Sequence, residues 1–105
     1  MKYYVVLTPP AMADIASAVD WYQRRDPKAA SRFLTCTRIT IGRIRQNPNR
    51  FRVIKGIVRR ALVPRFPYHI FFFLKIELVF ILAVRHQRQS DILRVGGSNG
   101  RLGED

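Results

Sequence analysis

The sequence predicts an α+β fold of order β-α-α-β-β-β, an N-terminal strand and a helical hairpin packed on a small antiparallel sheet. Three observations predict it. Apolar residues recur at helical spacing over two successive stretches, 11–22 and 30–44. Two later stretches, 68–74 and 78–84, are apolar at nearly every position, as strands central to a sheet are. The two helical stretches end at Asp26-Pro27 and Asn47-Pro48, where the residue before each proline is pushed out of the helical region.

Residues 3–7 alternate weakly and run into Thr8-Pro9-Pro10, a short strand followed by a helix start. Ala11, Ile15, Ala18, Val19 and Tyr22 then form one apolar stripe, with Asp14, Asp20, Gln23 and Arg24 elsewhere. In the second helix the stripe is Ala30, Phe33, Leu34, Thr37, Ile41 and Ile44, with Arg32, Arg38, Arg43 and Arg45 mainly off it. Residues 35–41 are rich in β-branched types, a local conflict that the unbroken stripe resolves in favour of helix. Residues 49–55 read as a loop or irregular edge, and 57–63 as a strand whose pleat sends Arg59 and Arg60 to opposite faces. A hairpin follows around Lys75-Ile76-Glu77. Residues 1–93 make one domain; 94–105, rich in Gly, Ser and Asn, read as a flexible tail.

Charge is the other dominant feature. The chain has 105 residues, 19 basic and 7 acidic, for a formal net charge of +12. Between Asp26 and Glu77 there are twelve Lys or Arg and not one carboxylate. Fifteen of the 19 cations are Arg, whose planar fork pairs bidentately with carboxylate or phosphate. With 48% hydrophobic residues the chain still buries a core, unlike disordered basic tails. Such a surface calls for an anionic partner, and nucleic acid and acidic protein satisfy the same electrostatics.

Cys36 is the only cysteine, so an internal disulfide is excluded, and the first ten residues carry too short an apolar run for a secretory signal. A reducing cytoplasm fits this usage. Residues 66–84 have the length of a membrane span, but Lys75 and Glu77 would fall near its centre. Each costs about 2.5 to 3.5 kcal/mol there, so a hairpin of two strands explains the letters better than a membrane segment. One Cys, two His and scattered acids give no metal-ligand spacing, and no cofactor motif is present; Gly96-Gly97-Ser98 lacks the strand and helix of a phosphate loop.

Several strings, taken in order, carry a resemblance. They are Leu7-Thr8-Pro9 with Ala13 and Asp14-Ile15, Asp20-Trp21-Tyr22, Arg32-Phe33-Leu34 and Ile44-Arg45-Gln46-Asn47-Pro48. After them come Arg59-Arg60, Phe66-Pro67-Tyr68-His69-Ile70-Phe71-Phe72 and Ile81-Leu82-Ala83-Val84-Arg85-His86. Over about residues 3–90 the chain resembles the RelE/ParE superfamily of bacterial toxins, the ParE branch in particular. The resemblance implies the toxin half of a type II toxin-antitoxin, plasmid-stabilisation system. It implies a hetero-oligomer with a cognate antitoxin whose acidic tail wraps the toxin, and operator DNA contacted only through that antitoxin. ParE-like members act on DNA gyrase without hydrolytic chemistry; RelE-like members cut mRNA on the ribosome and carry Arg, His and Tyr around the scissile phosphate. Here no Tyr follows Tyr68, and His69 sits where an RNA-cleaving relative would carry Arg. A gyrase inhibitor is therefore the favoured expectation, with the endonuclease as alternative and no catalytic residue assigned.

The candidate contacts to antitoxin or target are Trp21, Arg59, Arg60, Arg65, Tyr68, His86 and Arg88. Trp21 lies off the centre of its stripe and suits an interface anchor, whereas Tyr22 belongs to the packing. A neutral imidazole suits the role of general base, but no carboxylate or Tyr near His86 in sequence would orient it. Of Arg59 and Arg60, at most one shares a surface with Arg65 or Arg88, leaving the other to neutralise Asp14 or Asp20. Phe71, Phe72 and Phe73 read as core and groove floor, and Cys36 as a small packing residue.

Overall fold

The computed structural model describes residues 2–89. Strand β1 (Tyr4–Leu7) leads into helices α1 (Pro9–Arg25) and α2 (Pro27–Gln46), then a 3-10 turn, Pro48–Arg50. Strands β2 (Val53–Lys55), β3 (Val58–Leu62), β4 (Tyr68–Lys75) and β5 (Leu78–His86) follow, with a last 3-10 turn, Gln87–Gln89. The expected tail, 94–105, lies outside the described residues.

Local chemistry sets the helix ends. The Thr8 hydroxyl accepts from the Ala11 N–H at 3.4 Å and donates to the Ile81 carbonyl at 2.6 Å, so one side chain caps α1 and ties it to β5. Asp26 serves both helices of the hairpin. Its N–H donates to the Tyr22 carbonyl at 2.6 Å, closing α1, while its carboxylate accepts from the Lys28 N–H at 3.1 Å, opening α2. In the β-branched run of α2, Thr37 and Thr40 face the core, and the Thr40 hydroxyl is satisfied by donating back to the Cys36 carbonyl at 2.8 Å.

The sheet has five strands in the order β1-β5-β4-β3-β2. The predicted class and order hold, with two differences. β1 runs parallel to β5, so the sheet is mixed, the hairpin and the strands after it supplying the long crossover that a parallel neighbour requires. The stretch read as an irregular edge contains a three-residue edge strand, β2, which pairs with β3 through a turn at Gly56 (φ +57°).

The pairing of β4 with β5 contains a bulge. Phe72 pairs with Ile81 but Phe71 pairs with Ala83, so Leu82 is an extra residue on β5. Phe33 and Ile44 from α2 and Ala11 and Ala18 from α1 close the core over Ala61, Ile70, Phe72, Val79, Ile81 and Val84. These strand residues share one face of the sheet. Phe73 lies on the opposite face and stacks on Phe80, ring centroids 4.9 Å apart.

Candidate functional site

β1 pairs with β5 only as far as Ile81, so the last residues of β5 lack a neighbouring strand on that side. A sheet edge left this way presents backbone donors that must find partners. Helix α1 supplies one: Asp14 Oδ2 accepts from the Val84 N–H at 2.9 Å and lies 3.4 Å from Arg85 Nε. The carboxylate thus stands in for a strand and neutralises a neighbouring cation at once.

Between α1 and this end of β5 opens a cleft of about 510 Å³. Asp14, Ser17, Ala18, Trp21 and Tyr22 line it from α1, Tyr68 from β4, and Val84, Arg85, His86 and Arg88 from β5 and its exit. The helical residues are spaced at three and four, so they form a single stripe on one side of α1.

An aromatic cluster makes the floor. The Tyr22 ring centroid is 5.5 Å from Phe33, 5.3 Å from Phe66 and 6.4 Å from Tyr68, and Tyr68 is 4.9 Å from Phe33. Burial raises the pKa of the Tyr22 phenol; burial and then the neighbouring Tyr22 raise that of Tyr68. Both hydroxyls therefore stay protonated at neutral pH. Trp21 stands at the mouth, 50% exposed, meets Tyr22 edge-on at 5.0 Å, and carries the Arg25 guanidinium 3.8 Å above its ring. That cation is held in place by Arg25 Nη1 donating to the Trp21 carbonyl at 3.0 Å.

His86 is oriented from two sides. Its ring meets Tyr68 edge-on at 5.2 Å, and its Nδ1 accepts from the Arg88 N–H at 3.1 Å. With Nδ1 accepting, the neutral imidazole carries its proton on Nε2 and offers the cleft a donor.

Four of the seven sequence candidates, Trp21, Tyr68, His86 and Arg88, meet in this cleft. The other three do not. Arg59 Nη1 donates to the Phe51 carbonyl at 2.6 Å and the Asn49 carbonyl at 3.2 Å, tying the chain ahead of β2 to β3. Arg60, opposite Phe71, lies on the sheet face away from the helices. There its charge and, more strongly, burial lower the pKa of His69, which is 8% exposed with no hydrogen-bond partner on Nδ1 among the described residues. Arg65, at φ +71° in the loop before β4, borders a separate shallow hollow with Ser31, Arg32, Thr35 and Cys36. Neither Arg59 nor Arg60 neutralises the acids of α1: Asp14 pairs with Arg85, and Asp20 with Arg24 at 3.1 Å. Asp14, Ser17 and Arg85 were missed by the sequence reading. The spacing of Asp14, Ser17, Ala18 and Trp21 along one helical stripe was the signal that could have found the first two.

Comparison with known proteins agrees with this architecture. The profile of the family described as ParE toxin of type II toxin-antitoxin system, parDE, matches residues 5–91. No curated protein sequence matches significantly. Among solved structures, the fold is similar to a chain of the chromosomal ParDE toxin-antitoxin system from P. aeruginosa, with a TM-score of 0.73 and 20% identity over 81% of this chain and 96% of that one. It is also similar to a chain of the toxin-antitoxin complex RelBE2 from Mycobacterium tuberculosis, with a TM-score of 0.57 and 18% identity over 82% of this chain and 99% of that one. These two likenesses concern the fold, and the profile spans nearly all of the described residues. The chain therefore belongs to the ParE toxin family of type II toxin-antitoxin systems.

Proposed function

We propose that this toxin acts on DNA gyrase and blocks replication without hydrolytic chemistry of its own. A ParD-like antitoxin neutralises it by laying an acidic, amphipathic tail over the helical hairpin and the cleft between α1 and β5, and operator DNA is contacted through that antitoxin. The observation that supports this best is the state of the titratable groups in the cleft. An RNA-cleaving centre needs a group ready to take a proton from the attacking hydroxyl near neutral pH. His86 has its accepting nitrogen engaged by the Arg88 N–H, and Asp14 is engaged by Val84 and Arg85. Tyr68, its pKa raised, does not ionise there.

What the cleft offers instead is a half-exposed Trp21 beside the donors of His86 and Arg88. That combination suits a clasp for an apolar side chain flanked by carboxylates. The formal charge of +12 would speed association with an acidic tail and make its rate fall with salt. The ParE identity of the matching family favours gyrase over the ribosome, whereas the fold shared with a RelBE2 chain carries no chemistry.

Induction in cells followed by primer extension and gyrase-linked DNA break mapping tests the reading. Gyrase-dependent breaks with intact mRNA are expected, together with loss of supercoiling when purified toxin is added to gyrase. Codon-linked mRNA cuts with unimpaired gyrase would overturn it and establish the endonuclease.

A further inference from the structure

The solvent side of α2 holds a feature that the cleft does not use. Gly42 sits in the interior of this helix, where Gly is less favourable than Ala by about 1 kcal/mol. Among the described residues, a Cβ built on Gly42 meets no atom within 4 Å, and five residues of helix place it about 140° around the axis from buried Thr37. The missing side chain leaves a notch that opens outward.

Arginines flank the notch. Arg38 and Arg45, seven residues and about 10 Å apart along the axis, stand on one side of it, and Arg43 stands on the other. All three are exposed, and none has an ion pair among the described residues. The helix carries no carboxylate at all. A small-residue notch with two guanidinium groups on one side and one on the other lets a polyanionic backbone approach the helix closely while being neutralised from both sides.

We infer that the outer face of α2 around Gly42 docks the phosphate backbone of duplex DNA, without sequence preference, as a second interaction surface separate from the cleft. An acidic protein would satisfy the same charges, but a durable protein interface is anchored by aromatic or large apolar side chains. Here the only large apolar side chain exposed on α2 is Ile39. Charge with almost no apolar anchor is the signature of backbone binding to nucleic acid. The two surfaces are also well separated, because α1 is the helix packed on β5 and α2 packs on β3. The inference does not depend on gyrase being the target, although a target that holds duplex DNA would give the surface a role.

The test is fluorescence anisotropy of the full chain with a labelled 20-base-pair duplex of arbitrary sequence, titrated at several salt concentrations between 50 and 200 mM. The triple variant R38Q/R43Q/R45Q is expected to bind at least tenfold more weakly at 0.1 M salt. Its slope of log affinity against log salt should be shallower by about 2 to 3, since each phosphate contact contributes about 0.9. Gly42→Leu keeps every charge and raises helix propensity, so it folds, and blocking the notch should weaken binding severalfold with little change in slope. Unchanged duplex binding by both variants would overturn the inference. So would poly-glutamate displacing the duplex at equal charge concentration, which would reassign the face to an acidic protein.

Discussion

Tyr68 and His86 are partners across the β4–β5 ladder, their rings meeting edge-on with centroids 5.2 Å apart. They stand eighteen positions apart in sequence, and the hairpin between them closes that distance. The pair resembles the His and Tyr of a nuclease in composition alone. Its histidine has one nitrogen occupied by the Arg88 N–H, and its phenol holds its proton more tightly than usual. Wild type and His86→Gln are accordingly both expected to leave RNA intact in a ribosome-dependent cleavage assay. Any effect on growth arrest should track the loss of partner affinity measured in the same variant.

Trp21 is the best placed anchor for a bound tail, because half its surface is open while the Tyr22 ring and the Arg25 guanidinium fix its orientation. Truncating a central aromatic anchor typically costs about 2 kcal/mol or more of binding. Trp21→Ala should weaken antitoxin affinity by roughly 30-fold or more in calorimetry. The melting temperature should change little.

Asp14 holds the unpaired end of β5. Asp14→Ala removes the acceptor from the Val84 N–H and leaves Arg85 without its counter-charge, so unfolding in denaturant should show a loss of about 1.5 to 3 kcal/mol. Asp14→Asn keeps an acceptor oxygen and should recover much of that loss. The difference between the two variants measures the hydrogen bond to the strand apart from the ion pair with Arg85.

Arg59 is a structural cation. Its bonds to the Phe51 and Asn49 carbonyls hold the chain ahead of the edge strand, and Arg59→Ala should lower stability by about 1.5 to 3 kcal/mol. Antitoxin affinity of the folded fraction should be unaffected. An affinity loss larger than the stability loss would place Arg59 at the partner surface instead.

His69 makes stability depend on pH. Burial and then Arg60 lower its pKa in the folded chain, so the unfolded chain binds the proton more readily. The contribution of the neutral ring is fully present above its unfolded pKa, near 6.5, and is lost as pH falls from there through the lower folded value. Thermal melts from pH 7.5 to pH 5 should show a falling midpoint. His69→Phe should flatten that dependence in this window.

The elements carrying a one-dimensional signal were legible in the sequence. Asp26-Pro27 and Asn47-Pro48 mark helix ends because proline constrains its predecessor, and the apolar runs of β4 and β5 mark strands buried at the centre of the sheet. β2 was obscured because three residues are too few to show a period, and its Val53 is exposed on an edge. The parallel pairing of β1 was equally hidden, since orientation depends on where the crossover returns the chain. At the site, chemistry marks Trp21, Tyr68, His86 and Arg88 singly in the sequence, and only the β4–β5 register together with the packing of α1 on β5 brings them into one cleft. The bonds Arg59 makes were hidden because the carbonyls it binds belong to an irregular segment whose path local spacing does not encode.

Leu82, the extra residue of β5, decides which chemistry faces the helices. With strict alternation from Val79 and Ile81, the next inward positions would be Ala83 and Arg85, and the imidazole of residue 86 would point to the far side. The insertion inverts that parity for the last four residues, delivering Val84 to the core and His86 to Tyr68. Drawing this leucine into regular pairing, with the bulge lost and no residue removed, would turn the strand end over, bring a guanidinium beneath α1 and dismantle the recess, even with every lining residue still in the chain.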